Sequence, residues 1–149
     1  MLAAMMTSTV LVGLTLLIHY DILRLASSLL PRVRLPLRMR VVVVVFAAFL
    51  AHTLEVWLYA FGYYVFDEVF HFGNLSGELV GDWRDFVYYS AATYTTLGIG
   101  DVFPIGQTRL LTGIEALNGL VMIGWSASFT YLTMEKFWPL HGAQRKSLT

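Results

Sequence analysis

Three apolar stretches, each long enough to cross a bilayer as a helix, leave this chain few ways to fold. A helix satisfies its own backbone without water, and about 20 apolar residues carry it through the hydrocarbon. The first stretch runs from about Leu2 to Leu30 and is interrupted by His19, Asp21 and Arg24. The second runs from about Arg40 to Phe66 and opens with Val41 to Val45. The third runs from about Thr108 to Met134, where Gly113, Gly119 and Gly124 allow close approach of neighbours. A secretory signal is the competing reading of the first stretch, but it lacks both a charged leading region and a small-residue cleavage site. Composition agrees with a membrane protein: 57% of the 149 residues are hydrophobic and only 13% are charged, against roughly 25% charged in a soluble domain. Ten basic residues face ten acidic ones, so neither disorder nor nucleic-acid binding is expected. With no cysteine there is no disulfide framework or thiolate metal cluster, and the length suits one domain.

Basic loops stay in the cytoplasm, and the turn from Pro31 to Arg40 carries Arg32, Arg34, Arg38 and Arg40. The N-terminus is then outside, the second helix runs outward, the third returns, and the tail with Lys136, Arg145 and Lys146 is cytoplasmic. These arginines lie outside any apolar span and lack a repeat of three, so they read as anchors able to bind anionic lipid rather than as a voltage sensor. Between the second and third spans, residues 67–82 read as an extracellular loop. A helix is expected over 83–95, because Asp82 with Asp85 three positions on can cap its first turn. That helix is too short to cross, so it enters the membrane and ends inside the protein, where irregular backbone persists only if buried or lining a watery cavity.

The short helix runs into Thr95-Thr96-Leu97-Gly98-Ile99-Gly100-Asp101. This heptapeptide resembles the pore loop of the potassium-channel superfamily, whose signature is Thr-Val-Gly-Tyr-Gly-Asp, and within it the bacterial two-pore-domain-like channels, although one pore loop is present here. Thr96, Gly98, Gly100 and Asp101 match, with Leu97 for Val and Ile99 for Tyr. The resemblance implies an all-α membrane protein with three transmembrane helices, a re-entrant pore helix and a selectivity-filter loop. Residues 1–38 form an extra N-terminal helix and basic loop, and 39–138 form the pore domain. Within it 40–66 is the outer helix, 96–101 the filter and 108–134 the inner helix, with 139–149 a short tail too small for a ligand-binding domain. It further implies a passive potassium channel in the inner membrane of a bacterium, with K+ as the permeant ligand, no other cofactor and no enzymatic activity.

The residues support the same reading physically. Successive carbonyls face one side of a strand only if alternate residues take left-handed dihedrals, which glycine does without a Cβ clash. Carbonyls of Thr96, Leu97, Gly98 and Ile99, continued at Gly100 and with the Thr96 hydroxyl at the inner end, would replace the hydration shell of K+. Leu97 and Ile99 side chains should then pack against the short helix, with Tyr88, Tyr89, Tyr94 and Thr95 as supporting shell and Asp101 at the mouth. One strand cannot enclose an ion, so four copies about an axis are required. By alignment with the family, Gly119 is a hinge and Leu120, Ile123 and Ala127 line a cavity able to close by dewetting.

Two departures weaken the filter's outer end: Ile99 lacks the usual phenol, and Ala92 stands where many relatives carry a glutamate that holds the mouth aspartate. Glu115, about 10 Å below the end of the third helix, is the candidate replacement, as a brace to Thr93 or Thr95 or as a direct influence on ions and gating. His52 and Glu55, one turn apart, sit at a depth similar to Asn118 and can tie the helices together or sense protons. As metal ligands the two want a third. The rivals are a weakly selective cation channel and a proton-coupled transporter or intramembrane enzyme using His52, Glu55 and Glu115. Divided by side, the neutral total becomes positive inside and negative outside, where Asp67, Glu68, Glu78, Asp82, Asp85 and Asp101 face Arg84 and Arg109. Four copies would place about −16 around the mouth, enough to enrich cations there.

Overall fold

The computed structural model describes residues 2–77 and 82–137. Part of the expected extracellular loop, with Glu78, and the expected tail, with Arg145 and Lys146, lie outside the described residues. Helix α1 spans Leu2–Leu29, α2 Leu37–Tyr64, α3 Trp83–Tyr94 and α4 Thr108–Phe137. Three of these are long and apolar enough to cross a membrane, over Leu2–Leu29, Arg38–Val69 and Thr108–Lys136. Several hydroxyls in them are satisfied within the helix: Ser8 donates to Ala4 O, Thr9 to Met5 O and Thr133 to Phe129 O. Such back-bonding lets polar side chains sit in apolar surroundings without an unmet donor.

The chain is mostly helical but not all-α. Strand β1, Gly73–Gly77, pairs antiparallel with β2, Val102–Gly106, placing Leu75 opposite Pro104 and Gly77 opposite Val102. Neither strand shows a two-residue alternation of β-branched residues, and Pro104 suits only an edge, which both strands of a two-stranded sheet are. The pairing is instead imposed by the ends of α2 and α4, which bring both segments together; Leu75 and Val102 are buried there, and Asp67 accepts the Leu75 N–H at 3.2 Å. The second helix also runs past the expected Phe66, as a π-helical turn over Val65–Val69.

The core lies where α2, α3 and α4 meet, built from Tyr59, Tyr63, Phe66, Phe86, Tyr89, Tyr94, Leu111 and Met122. Tyr63 and Tyr89 pack edge to face with centroids 5.1 Å apart. Helix α1 leans on α2 and α4 through Ala4, Ser8, Leu11, Thr15, His19, Leu23 and Ala26, a single stripe at helical spacing. No more than 33% of the most apolar window of any spanning helix is buried within the chain. The larger part of that surface must therefore meet lipid or other copies of the protein.

Two glycines set helix distances. A Cβ at Gly62 would come within 2.8 Å of Leu11 Cδ1, and one at Gly119 would collide with the backbone carbonyl of Tyr94. What the structure gives Gly119, expected as a hinge, is this close contact between α4 and the last turn of α3. Gly119→Ala should therefore cost about 1–3 kcal/mol despite its better helix propensity. Gly124→Ala, with nothing within 4 Å of the added atom, should be neutral or slightly stabilising; thermal unfolding of the two variants in detergent compares them.

Candidate functional site

The segment after α3 is positioned by the way that helix ends. Asp85 Oδ2 accepts the Asp82 N–H at 3.1 Å at its start, and its end is closed by Thr95 N–H to Ala91 O, Thr96 N–H to Thr93 O and Leu97 N–H to Ala92 O, at 2.9–3.2 Å. From there the backbone alternates. Thr96, Gly98 and Gly100 have φ of 58°, 56° and 89°, while Leu97 and Ile99 between them keep ordinary values. Left-handed dihedrals cost a β-branched residue such as Thr roughly 1–2 kcal/mol, so Thr96 is held by its surroundings rather than by preference. All of residues 95–101 are exposed on the single chain. Leu97 and Ile99, expected to pack against the short helix, are 66% and 58% exposed. Ile99 only borders a cleft of about 390 Å³ that it shares with Tyr88, Tyr89, Ala92 and Thr93. The extended segment stands off from α3, and one chain supplies no second layer to cover it.

Asp101, at the far end of the segment, is braced by Tyr88. The Tyr88 hydroxyl donates to Asp101 Oδ2 at 2.8 Å, and Asp101 Oδ1 takes the Val102 N–H at 2.9 Å. The bond to the Asp101 carboxylate raises the Tyr88 hydroxyl above its ordinary range and keeps it a proton donor. Asp101 is thus bonded from Tyr88, one turn before Ala92 on the same helix, while Glu115 is engaged elsewhere.

Glu115 instead ties three helices together, fully buried. Tyr63 of α2 donates to its Oε2, and the Ser90 hydroxyl of α3 lies 2.6 Å from its Oε1 and 2.8 Å from the Val56 carbonyl of α2. The expected partners are engaged otherwise: Thr95 donates to Ala91 O, and the buried Thr93 does not reach the carboxylate. Tyr89 completes the layer through Thr112 Oγ1 at 2.8 Å. Tyr63 lies 52 residues from Glu115 along the chain, a partnership no local pattern shows. Replacing Glu115 by Leu would take the carboxylate acceptor from the Tyr63 hydroxyl and leave Ser90 only the Val56 carbonyl, and should destabilise by about 1–3 kcal/mol. Glu115→Gln, which keeps a carbonyl oxygen there, should lose less; chemical unfolding monitored by tryptophan fluorescence ranks the two.

The second buried carboxylate, Glu55, does not meet Asn118. Asn118 Nδ2 donates to Thr15 Oγ1 of α1 at 2.9 Å. Glu55 is enclosed by three other groups: His19 Nδ1 at 2.9 Å from Oε1, His52 Nδ1 at 3.3 Å from Oε2, and the Tyr94 hydroxyl donating to Oε2. Tyr94 also lies 2.9 Å from His52 Nδ1, and His19 Nε2 is 3.2 Å from Ser126 Oγ on α4. The pairing of His52 with Glu55 on one helix face is therefore joined by His19 from α1. In the sequence His19 is visible only as an ionisable residue inside an apolar helix, which is the signal that singles it out.

Leu120, Ile123 and Ala127 are exposed on a continuous side of α4, and Ile123 and Ala127 also border the groove between α2, α3 and α4. Neither the curated proteins nor the solved structures include a match to this chain. A sequence profile of the family described as ion channel matches residues 39–136, which takes in α2 with few residues missing, α3, the alternating segment, and α4 short of its last residue. With two spanning helices around a short helix and a left-handed alternating loop, a match over well more than half of its length completes the assignment: the chain belongs to the ion channel family.

Proposed function

We propose that the protein is a homotetrameric, passive potassium channel in which carbonyls of Thr96, Leu97, Gly98, Ile99 and Gly100 coordinate dehydrated K+. The observation that supports this best is the positive φ at every second residue from Thr96 to Gly100, in an exposed segment between two spanning helices. That alternation turns successive carbonyls toward one side, and a single chain offers an ion one side only. Four copies about an axis close the ring. Helix α3 acts as the pore helix, and the negative end of its dipole favours a cation beyond Tyr94. The exposed Leu120, Ile123 and Ala127 of α4 would then line the cavity below.

The Tyr88 to Asp101 bond favours potassium selectivity over weak discrimination. It restores a polar strut at the mouth, so the loss of the phenol at Ile99 and of the acid at Ala92 need not loosen the ring. Glu115, His52 and Glu55 serve as struts between helices, which engages the very groups that a transporter or an enzyme would need free. In the bacterial inner membrane the basic turn with Arg32, Arg34, Arg38 and Arg40 would lie against anionic lipid on the cytoplasmic side. The N-terminus would lie outside and Asp101 would face the exterior.

The full chain reconstituted in liposomes under opposed potassium and sodium gradients should give a zero-current potential close to the potassium equilibrium value, with four chains per particle by cross-linking. A potential near zero with clear rubidium flux would make it a weakly selective channel, and tetramers without any flux would reject conduction. Tyr88→Phe should lower the permeability ratio of potassium to sodium by about threefold or more, the scale expected for one hydrogen bond of ordinary net strength. The same assay reads it.

A further inference from the structure

We infer that His19, His52 and Glu55 form a binding site for a divalent transition-metal ion of the zinc class, which ties α1 to α2 beside the last turn of α3. The ligand atoms of all three residues lie within 4.8 Å of one another. Zinc bonds to imidazole nitrogen and carboxylate oxygen at about 2.0–2.1 Å, so donors around a tetrahedral ion stand roughly 3.3 Å apart. Here His19 Nδ1 is 2.9 Å and His52 Nδ1 3.3 Å from the carboxylate of Glu55. Small side-chain movements therefore separate the hydrogen-bonded cluster from a coordinated one. Two imidazoles and one carboxylate are a donor set that zinc accepts with a fourth position open. The Tyr94 hydroxyl lies beside the same donors, 2.9 Å from His52 Nδ1.

The surroundings fit a metal in three further respects. Coordination through Nδ1 places the ring hydrogen of His19 on Nε2, where Ser126 Oγ at 3.2 Å accepts it; an outer partner of this kind orients a ligating histidine. The carboxylate has no exposure to water, and a cation beside it offsets a charge that neutral donors alone leave in the membrane. The site meets the surface at His52, 20% exposed, which borders a mainly apolar groove of about 780 Å³ that also holds Thr53, Thr95 and Ser126. Imidazole and carboxylate donors without thiolate select zinc, cobalt or nickel rather than copper(I) or calcium.

Cobalt reports on the site directly. The full-length protein, purified free of metal in detergent, should take up one Co2+ per chain with the visible absorption of a tetrahedral centre, and Zn2+ should displace it. His19→Cys should keep that stoichiometry and add a near-ultraviolet thiolate-to-cobalt band, which appears only when residue 19 touches the metal. Glu55→Gln should weaken binding by about 100-fold while keeping the size-exclusion profile of the wild type. Zn2+ should raise the melting temperature of the wild type and not that of Glu55→Gln. Absence of Co2+ uptake by the folded wild type overturns the site and leaves a hydrogen-bonded clamp. Uptake that is unchanged in Glu55→Gln, with no thiolate band in His19→Cys, overturns it equally. None of these measurements depends on conduction, so a protein that passes no ions can still bind the metal.

Discussion

A carboxylate removed from water must be met by donors at once, and the two buried carboxylates among the described residues determine how the helices can meet. Glu55 and Glu115 are both inaccessible to solvent. Neither can obtain its partners from its own helix alone. Glu115 reaches Tyr63 on α2 and Ser90 on α3, and Glu55 reaches His19 on α1 and Tyr94 on α3. Each acid therefore fixes the rotation and depth of two other helices relative to its own. An apolar contact tolerates a slide by half a turn, whereas a buried acid does not, since its donors would be left behind at a cost comparable to the stability of the whole.

Helix α3 is the element on which both constraints converge. It is only 12 residues long, and Phe86, Tyr89, Ser90, Thr93 and Tyr94 are its buried residues. Ser90 and Tyr94, one turn apart, attach it to the two carboxylates, while the carbonyl of Tyr94 rests directly on Gly119 of α4. Tyr88, on another side of the helix, holds Asp101. The segment from Thr95 to Asp101 is thereby tied at both ends to the same rigid helix, and the left-handed Thr96 lies between these ties. The strained alternation is held from its flanks within the single chain, as the proposed ion-coordinating role would require.

Those parts of the fold governed by local physics were legible in the sequence. The three spans come from apolar length, the start of α3 from Asp82 and Asp85, and the left-handed positions at 98 and 100 from glycine itself. Thr96 shows the limit of that logic, because a β-branched residue takes a conformation that its own chemistry disfavours. The remaining features are long-range. Glu115 and its partner Tyr63 are 52 positions apart, and His19 and Glu55 are 36 apart. Depth counting along single helices placed Glu55 level with Asn118, but it says nothing of rotation, and the two side chains turn to different neighbours. The β1–β2 pair was hidden for another reason: Gly73 to Gly77 carries no strand pattern, and its pairing is a consequence of where α2 and α4 end.

The same constraint decides the status of α1, which lies wholly outside the residues that match the ion channel family. Its apolar side chains would be as content in lipid as against protein, so hydrophobic burial gives it little reason to dock. Its contact stripe is polar where it matters: Thr15 receives Asn118 of α4, and His19 joins Glu55 of α2 to Ser126 of α4. Without α1, Glu55 would lose a charge-facing partner and Asn118 its acceptor, both inside the membrane, where no water can replace them. The helix outside the family match is therefore part of the packing that sets α2, α3 and α4, and a chain beginning at α2 would have to find new partners for two buried polar groups before it could hold the same arrangement.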